Sequence, residues 1–201
     1  HSIDLRLRLT DYRHSELEGQ EAATTFANRG YDLRLELVHE RMGLWEGAIG
    51  YQSTYSDFQV SGEEAFLPNT RSSMQSLFVI EEIDLAPVVV ELGGRFDYSS
   101  VASSGGNQFG NARTRDFPGG SVAVGVVWDA TDEQLLSFDG SWTSRAPNYE
   151  ELFAEGVHVA SGFYERGNAG LTSENAVGLN LGWVGRYGDW VDWSANAFYD
   201  R

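Results

Sequence analysis

The feature that most constrains this chain is an alternation of apolar and charged residues that recurs along its length. Residues 4–9 read DLRLRL and residues 31–37 read YDLRLEL, so leucines occupy alternate positions. A period of two is typical of a β-strand whose side chains point in turn to two different environments. Opposite charges share the polar side of each segment, where they can pair across neighbouring strands. The pattern therefore predicts strands with one apolar face and one charged face.

The same pattern recurs often enough to predict about nine strands in a single domain spanning residues 1–201. Short and long connections alternate between these strands. Short connections are expected at residues 40–43, 84–87, 129–132 and 186–189, and long ones near 15–24, 58–72, 101–118 and 145–173. Tight turns at one end of the strands and long loops at the other are typical of a transmembrane β-barrel. The direction of the side chains stays undecided for residues 74–83, 121–128 and 190–201.

Composition limits the classes of function. The chain carries a formal net charge of -16 and has no cysteine, which argues against a nucleic-acid partner and excludes thiolate metal sites. Its mean hydropathy of -0.34 would class it as soluble, but an alternating barrel strand averages to a similar value. No Ser, His and Asp arrangement and no phosphate-binding loop is evident, so the chain is not expected to be an enzyme.

One long stretch resembles a known family. It begins with SWTSRAP at residues 141–147 and continues with EELF at 150–153, GVHVA at 156–160, YERGN at 164–168 and LTSE at 171–174. Further segments fit in the same order, namely YRHSELEG at 12–19, GEEAFLP at 62–68 and LFVIEE at 77–82. Together these segments are similar to the TonB-dependent outer-membrane receptors, and within them to the branch that takes up zinc or small metal complexes.

The resemblance implies an all-β fold, namely part of an antiparallel up-and-down transmembrane β-barrel of about 22 strands. It also implies a multi-pass location in the outer membrane of a Gram-negative cell, in contact with lipid. The expected partners are an N-terminal plug domain, which like the C-terminal strands is missing from these residues, and a TonB-type energy-coupling protein. The implied function is active uptake of a metal ion or metal complex, either Zn²⁺ or a siderophore-type iron complex. No permanently bound cofactor is expected.

The resembling stretch also predicts local structure at its start. Its strand motif consists of Arg145, Ala146 and Pro147. Arg145 closes the polar face of the strand, and Pro147 ends the strand because proline has no N–H to donate to a neighbour. Asn148 is placed to cap a short helix over residues 149–154, with Gly156 as the exit from that helix.

His158 is the main candidate metal ligand. A neutral imidazole can offer one nitrogen to a divalent metal while a neighbour orients the other nitrogen. Glu165 and Glu155 are close enough in sequence to supply oxygen ligands, which Zn²⁺ accepts beside nitrogen. His14, next to an expected extracellular loop, is a further candidate. Since no dense histidine spacing is present, a structural role for His158 and a solvated one for His14 stay open.

A second set of candidates is expected to contact the plug inside the barrel through hydrogen bonds and ion pairs. These are the polar-face residues Arg6, Arg8, Arg34, Glu36, Glu46, Arg95 and Asp97. Glu63 and Glu64 belong to an acidic loop that is expected to concentrate cations at the mouth of the barrel.

Two other classes of function are compatible with parts of the pattern. A soluble or surface-displayed β-sandwich binding module, such as an adhesin, requires a second sheet that covers the leucines of residues 4–9 and 31–37. An outer-membrane enzyme of the barrel type requires a Ser and His pair near the loops, and the sequence offers none with suitable placement.

Overall fold

The computed structural model describes residues 1–18, 21–62, 65–158 and 162–201. Glu63 and Glu64 lie outside the described residues. Seven strands come first: β1 (Ser2–Glu18), β2 (Glu21–Met42), β3 (Trp45–Gly62), β4 (Thr70–Leu85), β5 (Val88–Ser103), β6 (Arg113–Thr131) and β7 (Gln134–Arg145). A helix α1 (Tyr149–Phe153), a small hairpin of β8 (Glu155–His158) and β9 (Phe163–Arg166), and the strands β10 (Glu174–Tyr187) and β11 (Val191–Asp200) follow.

Nine of the strands form one sheet in the order β1-β2-β3-β4-β5-β6-β7-β10-β11, and β8 pairs with β9 alone. Every neighbouring pair in the large sheet is antiparallel, so the chain runs up and down without a crossover. This arrangement confirms the predicted all-β, up-and-down fold and the expected strand number. In the described part of the chain, β1 and β11 are the two edges of the sheet.

The register of the sheet aligns the leucines of successive strands on one side. Leu5, Leu35, Tyr51, Leu77 and Phe96 lie opposite one another in β1 to β5. Because side chains alternate along a strand, this side is called the apolar face. The row one residue away comprises Arg6, Arg34, Gln52, Ser76 and Asp97, and it defines the polar face.

The register also assigns two of the three segments that the sequence left undecided. In β4, Leu77 belongs to the apolar face, so its neighbour Phe78 belongs to the polar face, opposite Gly50 and Arg95. In β6, Val122 lies opposite Trp142 and shares the apolar face with Val126. A continuous apolar run therefore reflects a few large apolar side chains on the polar face, and not a loss of alternation.

The long connections are shorter than predicted because the strands extend into them. β2 has 22 residues and β3 has 18, whereas a strand needs only about 10 to cross a bilayer. Strands β1 and β2 thus extend into the expected loop near 15–24, and strands β3 and β4 extend into the expected loop near 58–72. The connection from β7 to β10, residues 146–173, is the longest, and it contains α1 and the β8–β9 hairpin. We call it the mouth loop.

The large sheet has no second layer over its apolar face. Leu5 is 65% exposed, Leu7 61% and Leu9 76%, and β8 and β9 form the only other sheet of the described residues. These leucines are the ones that a β-sandwich would have to cover, so the described residues do not form the sandwich that this alternative requires. The single described helix, α1, has five residues, and no helix in the described ranges is long and apolar enough to cross a membrane.

Candidate functional site

The mouth loop begins at a fixed corner built by Arg145. Its Nη1 and Nη2 donate to the two carboxylate oxygens of Glu151 at 3.0 and 2.8 Å, and its Nε donates to Glu174. Asn148 caps α1 as predicted, because its side chain accepts from the Glu151 N–H while the Glu151 side chain accepts from the Asn148 N–H. Arg145 and, secondarily, the Asn148 N–H hold the pKa of Glu151 below its ordinary value.

The helix ends one residue earlier than predicted, and Gly156 is not its exit. α1 stops at Phe153, and Ala154 is its C-terminal cap. Gly156 lies inside β8 with φ of 155°, in a region that disfavours side chains. A Cβ at this position would sit 3.1 Å from Phe66. The glycine therefore lets the loop backbone approach the connection between β3 and β4.

Apolar packing seats the mouth loop on the polar face of the sheet. Leu152 is 2% exposed and Phe153 8%, and they pack with Val101 and Phe117. Val101 and Phe117 share the face of Arg95, since each is separated from that row by an even number of residues along its strand. Burial raises the pKa of Tyr149, which packs between the two apolar clusters, with a smaller contribution from Glu150.

His158 is held between an aromatic ring and a carboxylate. Its ring stacks on Phe66 with centroids 4.4 Å apart and planes 15° apart, and its Nδ1 lies 2.7 Å from Oε1 of Glu165. An ionised carboxylate can only accept, so the proton of a neutral imidazole lies on Nδ1 and its lone pair on Nε2. This orientation of an imidazole by a carboxylate is the one found behind histidine metal ligands.

The third predicted ligand, Glu155, points the other way. In the hairpin Gly156 lies opposite Glu165, and Glu155 opposite Arg166, so alternation places Glu155 on the face away from His158. There it accepts from the Tyr164 hydroxyl at 2.7 Å and lies 3.5 Å from Arg166. Over the described residues, no group of three or more His, Cys, Asp or Glu side chains is placed to hold a metal ion.

His14 lies at the same end of the sheet as His158. It stacks on Phe26 with centroids 4.9 Å apart, and Phe26 shares an apolar cluster with Phe66, the residue under His158. His14 and His158 thus stack on two members of one apolar cluster. Phe66 was missed by the sequence analysis because it comes from another loop, and only its presence in the resembling segment 62–68 pointed to it.

Further from the mouth, the polar face carries a bonded network. Arg95 donates to Asp97 at 2.7 Å, to Ser76 at 2.7 Å and to Gln52 at 3.3 Å. Arg34 donates to Glu36 at 2.9 Å. The register puts all the predicted plug-contact residues on this face, including Glu46 near the short turns, Arg8 opposite Asp32, and Arg6, which pairs with Asp4 at 2.8 Å.

Phe78 organises the centre of this network, although the sequence analysis gave it no role. The Arg34 guanidinium lies 4.3 Å from the ring centroid and that of Arg95 5.9 Å, within the range of cation–π attraction. The ring occupies the space over Gly50, where a Cβ would come within 2.1 Å of Phe78 Cζ. The available signal was an aromatic residue at a polar-face position opposite a glycine.

Comparisons with known proteins agree with this architecture. The family model described as TonB dependent receptor-like, beta-barrel, matches residues 4–201. The chain is similar to a solved structure of the copper transporter OprC, with a TM-score of 0.69 and 18% identity over 88% of this chain and 30% of that one. It is also similar to the ferric citrate transporter FecA in the unliganded form, with a TM-score of 0.53 and 17% identity over 88% of this chain and 27% of that one. At these identities the likeness concerns the fold, and the chain spans less than a third of either transporter.

Proposed function

The chain belongs to the family of TonB-dependent receptor-like β-barrels, and from this membership we propose that it forms part of the wall of an outer-membrane receptor. In this proposal the apolar face contacts lipid and the polar face lines the interior. The receptor takes up a metal ion or a metal complex, and a TonB-type protein supplies the energy. No covalent chemistry is required of the chain.

The observation that carries the proposed cargo is the His158 and Glu165 pair in the mouth loop. Glu165 accepts from Nδ1, so it orients the imidazole and does not act as a second ligand. One imidazole is too little for a closed metal site, and it suits a metal that arrives with its own chelator, because the chelator fills the other coordination positions. The similar solved proteins carry copper and ferric citrate, and an imidazole ligand suits zinc, copper or iron. His14 offers a further nitrogen at the same mouth.

The polar face supports the proposed plug contact. Arg34 and Arg95 each hold an acidic partner, and Ser76, in the same network, is 1% exposed. Such a prearranged set of donors and acceptors can bind the plug without reorganising its own side chains. The residues proposed to contact the plug are Arg6, Arg8, Arg34, Glu36, Glu46, Arg95 and Asp97.

Calorimetric titration of the purified full-length receptor with Zn²⁺ and Cu²⁺ tests the metal site. His158→Ala and Glu165→Gln are expected to weaken metal binding by about 10- to 100-fold, the usual effect of losing a ligand or the group that orients it. Glu155→Gln is the matched control, because it removes the same charge from the opposite face of the same hairpin. It is expected to bind metal like the parent.

Two results would contradict the assignment. Equal losses of metal affinity in Glu165→Gln and Glu155→Gln mean that the acidic loop attracts cations without a specific site. Unchanged binding in His158→Ala removes the histidine from the site. Uptake of the same metals by cells with and without the TonB-type protein then tests the transport proposal separately from the ligand assignment.

A further inference from the structure

The apolar face of the sheet ends at a defined level towards the long loops. Going outwards along β2, the residues on this face are Leu37, Leu35, Leu33, Tyr31 and Arg29. The Tyr31 ring stacks on that of Tyr55 in β3, with centroids 5.9 Å apart. Tyrosine side chains prefer the level where hydrocarbon meets water. In the proposed function, this tyrosine pair therefore marks the outer limit of the hydrocarbon, and Arg29 lies beyond it, at the level of the lipid headgroups.

A row of alternating charges crosses four strands at the level of Arg29. The register places Arg29 opposite Asp11 of β1 and Asp57 of β3, and it places Asp57 opposite Arg71 of β4. Each of the four is an even number of residues from the apolar row that contains Leu5, so all four lie on the apolar face. We call these four residues the charge row. Opposite charges on neighbouring strands stabilise strand pairing, which accounts for the alternation but not for its place beside the lipid.

The two arginines of the charge row are held at one edge and open at the other. Arg29 Nε lies 3.3 Å from Asp11 Oδ2, and Arg71 Nε donates to Asp57 Oδ2 at 3.3 Å. These ion pairs engage Nε, whereas a guanidinium has four further N–H groups on Nη1 and Nη2. The side chains of Arg29 and Arg71 are 77% and 71% exposed. The aspartates therefore orient the guanidiniums, and the Nη groups stay accessible to a ligand.

A third arginine lies beside the charge row on the same face. Arg13, two residues beyond Asp11 in β1, is exposed and lies opposite the uncharged Ala27. Arg29 and Arg71 are two strands apart, so their backbones are separated by about 10 Å. The chain has a net charge of -16, which repels anions in general. An anion is therefore expected to bind here only through guanidiniums that are placed to meet it.

We propose that the charge row binds the phosphate groups of lipopolysaccharide in the outer leaflet of the membrane. A guanidinium can donate two parallel hydrogen bonds to one phosphate, and the spacing of Arg29 and Arg71 allows each to hold a different phosphate. A lipid suits this place better than free phosphate, because the charge row continues the leucine and tyrosine rows of the same face. One molecule can then lay its acyl chains on the leucines and its phosphates on the arginines. This proposal rests on the membrane location in the proposed function.

Native mass spectrometry of the purified full-length receptor in dodecyl maltoside tests this proposal. The probes are lipid A with both of its phosphates, the same lipid A after removal of the phosphates, and phosphatidylglycerol. The parent is expected to prefer the phosphorylated lipid A. Arg29→Gln and Arg71→Gln are each expected to bind it roughly tenfold more weakly, because each loses charge-assisted hydrogen bonds to phosphate.

Arg113→Gln is the matched control. Arg113 is next to Thr114, which the register aligns with the charge row through Ala102, but it belongs to the polar face. The variant makes the same charge change at the same level on the other side of the sheet, so it is expected to bind lipid A like the parent.

Each result decides the proposal. Equal binding of lipid A with and without its phosphates overturns it, as does an equal loss of affinity in Arg113→Gln. Phosphatidylglycerol that binds as tightly as the phosphorylated lipid A overturns the assignment to lipopolysaccharide, because it shows a general attraction for anionic lipids. A receptor that stays in solution after the detergent is removed contradicts the membrane location itself, so failure of the proposed function is distinguished from failure of the lipid site.

Discussion

Leu152→Ala is expected to open the mouth loop without unfolding the sheet. Leu152 is 2% exposed and packs against Val101 and Phe117 of the polar face. Replacing a buried leucine by alanine costs about 2–5 kcal/mol. With about 3 kcal/mol as a central value, the open form of the loop becomes roughly 100-fold more populated. Among the described residues, the backbone hydrogen bonds of this loop reach its own residues or Phe66 and not the large sheet, so the cost falls on the loop and not on the sheet.

Limited trypsin digestion measures this opening directly. The chain has no lysine, and Arg166 is the only arginine between residues 146 and 173. Arg166 ends β9, and the N–H of Gly167, on the other side of the cleaved bond, donates to the Ala154 carbonyl at the end of α1, so cleavage requires this part of the loop to separate from α1. When opening is fast relative to cleavage, the rate follows the open population. We expect Leu152→Ala to be cleaved after Arg166 about 100-fold faster than the parent.

A matched control separates the buried contact from a general effect of truncation. Val157→Ala also shortens an apolar side chain in the mouth loop, but Val157 is 51% exposed, so its cleavage rate is expected to match the parent. The thermal midpoint of the sheet, followed by circular dichroism, is expected to stay the same in both variants. Parent-like cleavage of Leu152→Ala would refute the conclusion that this residue anchors the loop.

Two further predictions concern the network on the polar face and the cap of α1. Gly50→Ala is expected to destabilise the sheet by about 1–3 kcal/mol through overpacking against Phe78. Gly93→Ala is the control and is expected to be near neutral, because its Cβ would be 3.7 Å from Ala123. Equal thermal midpoints of the two variants would contradict the cation–π arrangement. The pKa of Glu151 is lowered in the folded loop, so its stabilising effect is present above the ordinary pKa and is lost as pH falls through the lowered one. Hydrogen exchange of α1 amides, corrected for intrinsic rates, is therefore expected to accelerate in the parent as pH falls below the ordinary pKa of a glutamate, and Glu151→Gln is expected to abolish that acceleration.

The fold was predictable because alternation is a local property. A strand such as residues 4–9 shows its two faces in the sequence itself, and the short turns follow from where the alternation stops. The direction of Phe78 was not predictable in the same way, because it depends on Gly50 in the neighbouring strand. The predicted loop lengths were too long because strand pairing continues beyond the depth that lipid requires.

The site was predictable only where neighbours in sequence are neighbours in space. The Asn148 cap and the His158 and Glu165 pair lie within one loop, and both were anticipated as local groups. Glu155 was grouped with them by its closeness in sequence, but the hairpin register, which the sequence did not reveal, turns it to the other face. Phe66 reaches His158 from a separate loop, so its role depends on the tertiary fold.

The polar face changes character along the strands, and this change positions the mouth loop. Near the middle of the sheet, Arg34 and Arg95 surround Phe78, whereas towards the long loops the same face presents Phe26, Phe58 and Phe117. The mouth loop covers that apolar region and contacts it through side chains. One such contact is between Phe58 and Tyr149, whose ring centroids lie 5.0 Å apart.

Backbone bonds mostly hold the mouth loop to itself. Gly167 donates to Ala154, and Asn168 donates to Glu151, whereas the bond from Glu155 to Phe66 at 2.9 Å reaches a different loop. Side-chain contacts can separate without breaking any ladder of the large sheet, so this loop can move while the sheet stays intact. Since His158 stacks on Phe66 and Glu165 belongs to the same hairpin, a movement that exposes the apolar region also displaces the candidate metal ligands. In the proposed function, cargo binding and loop position are therefore coupled through Phe66.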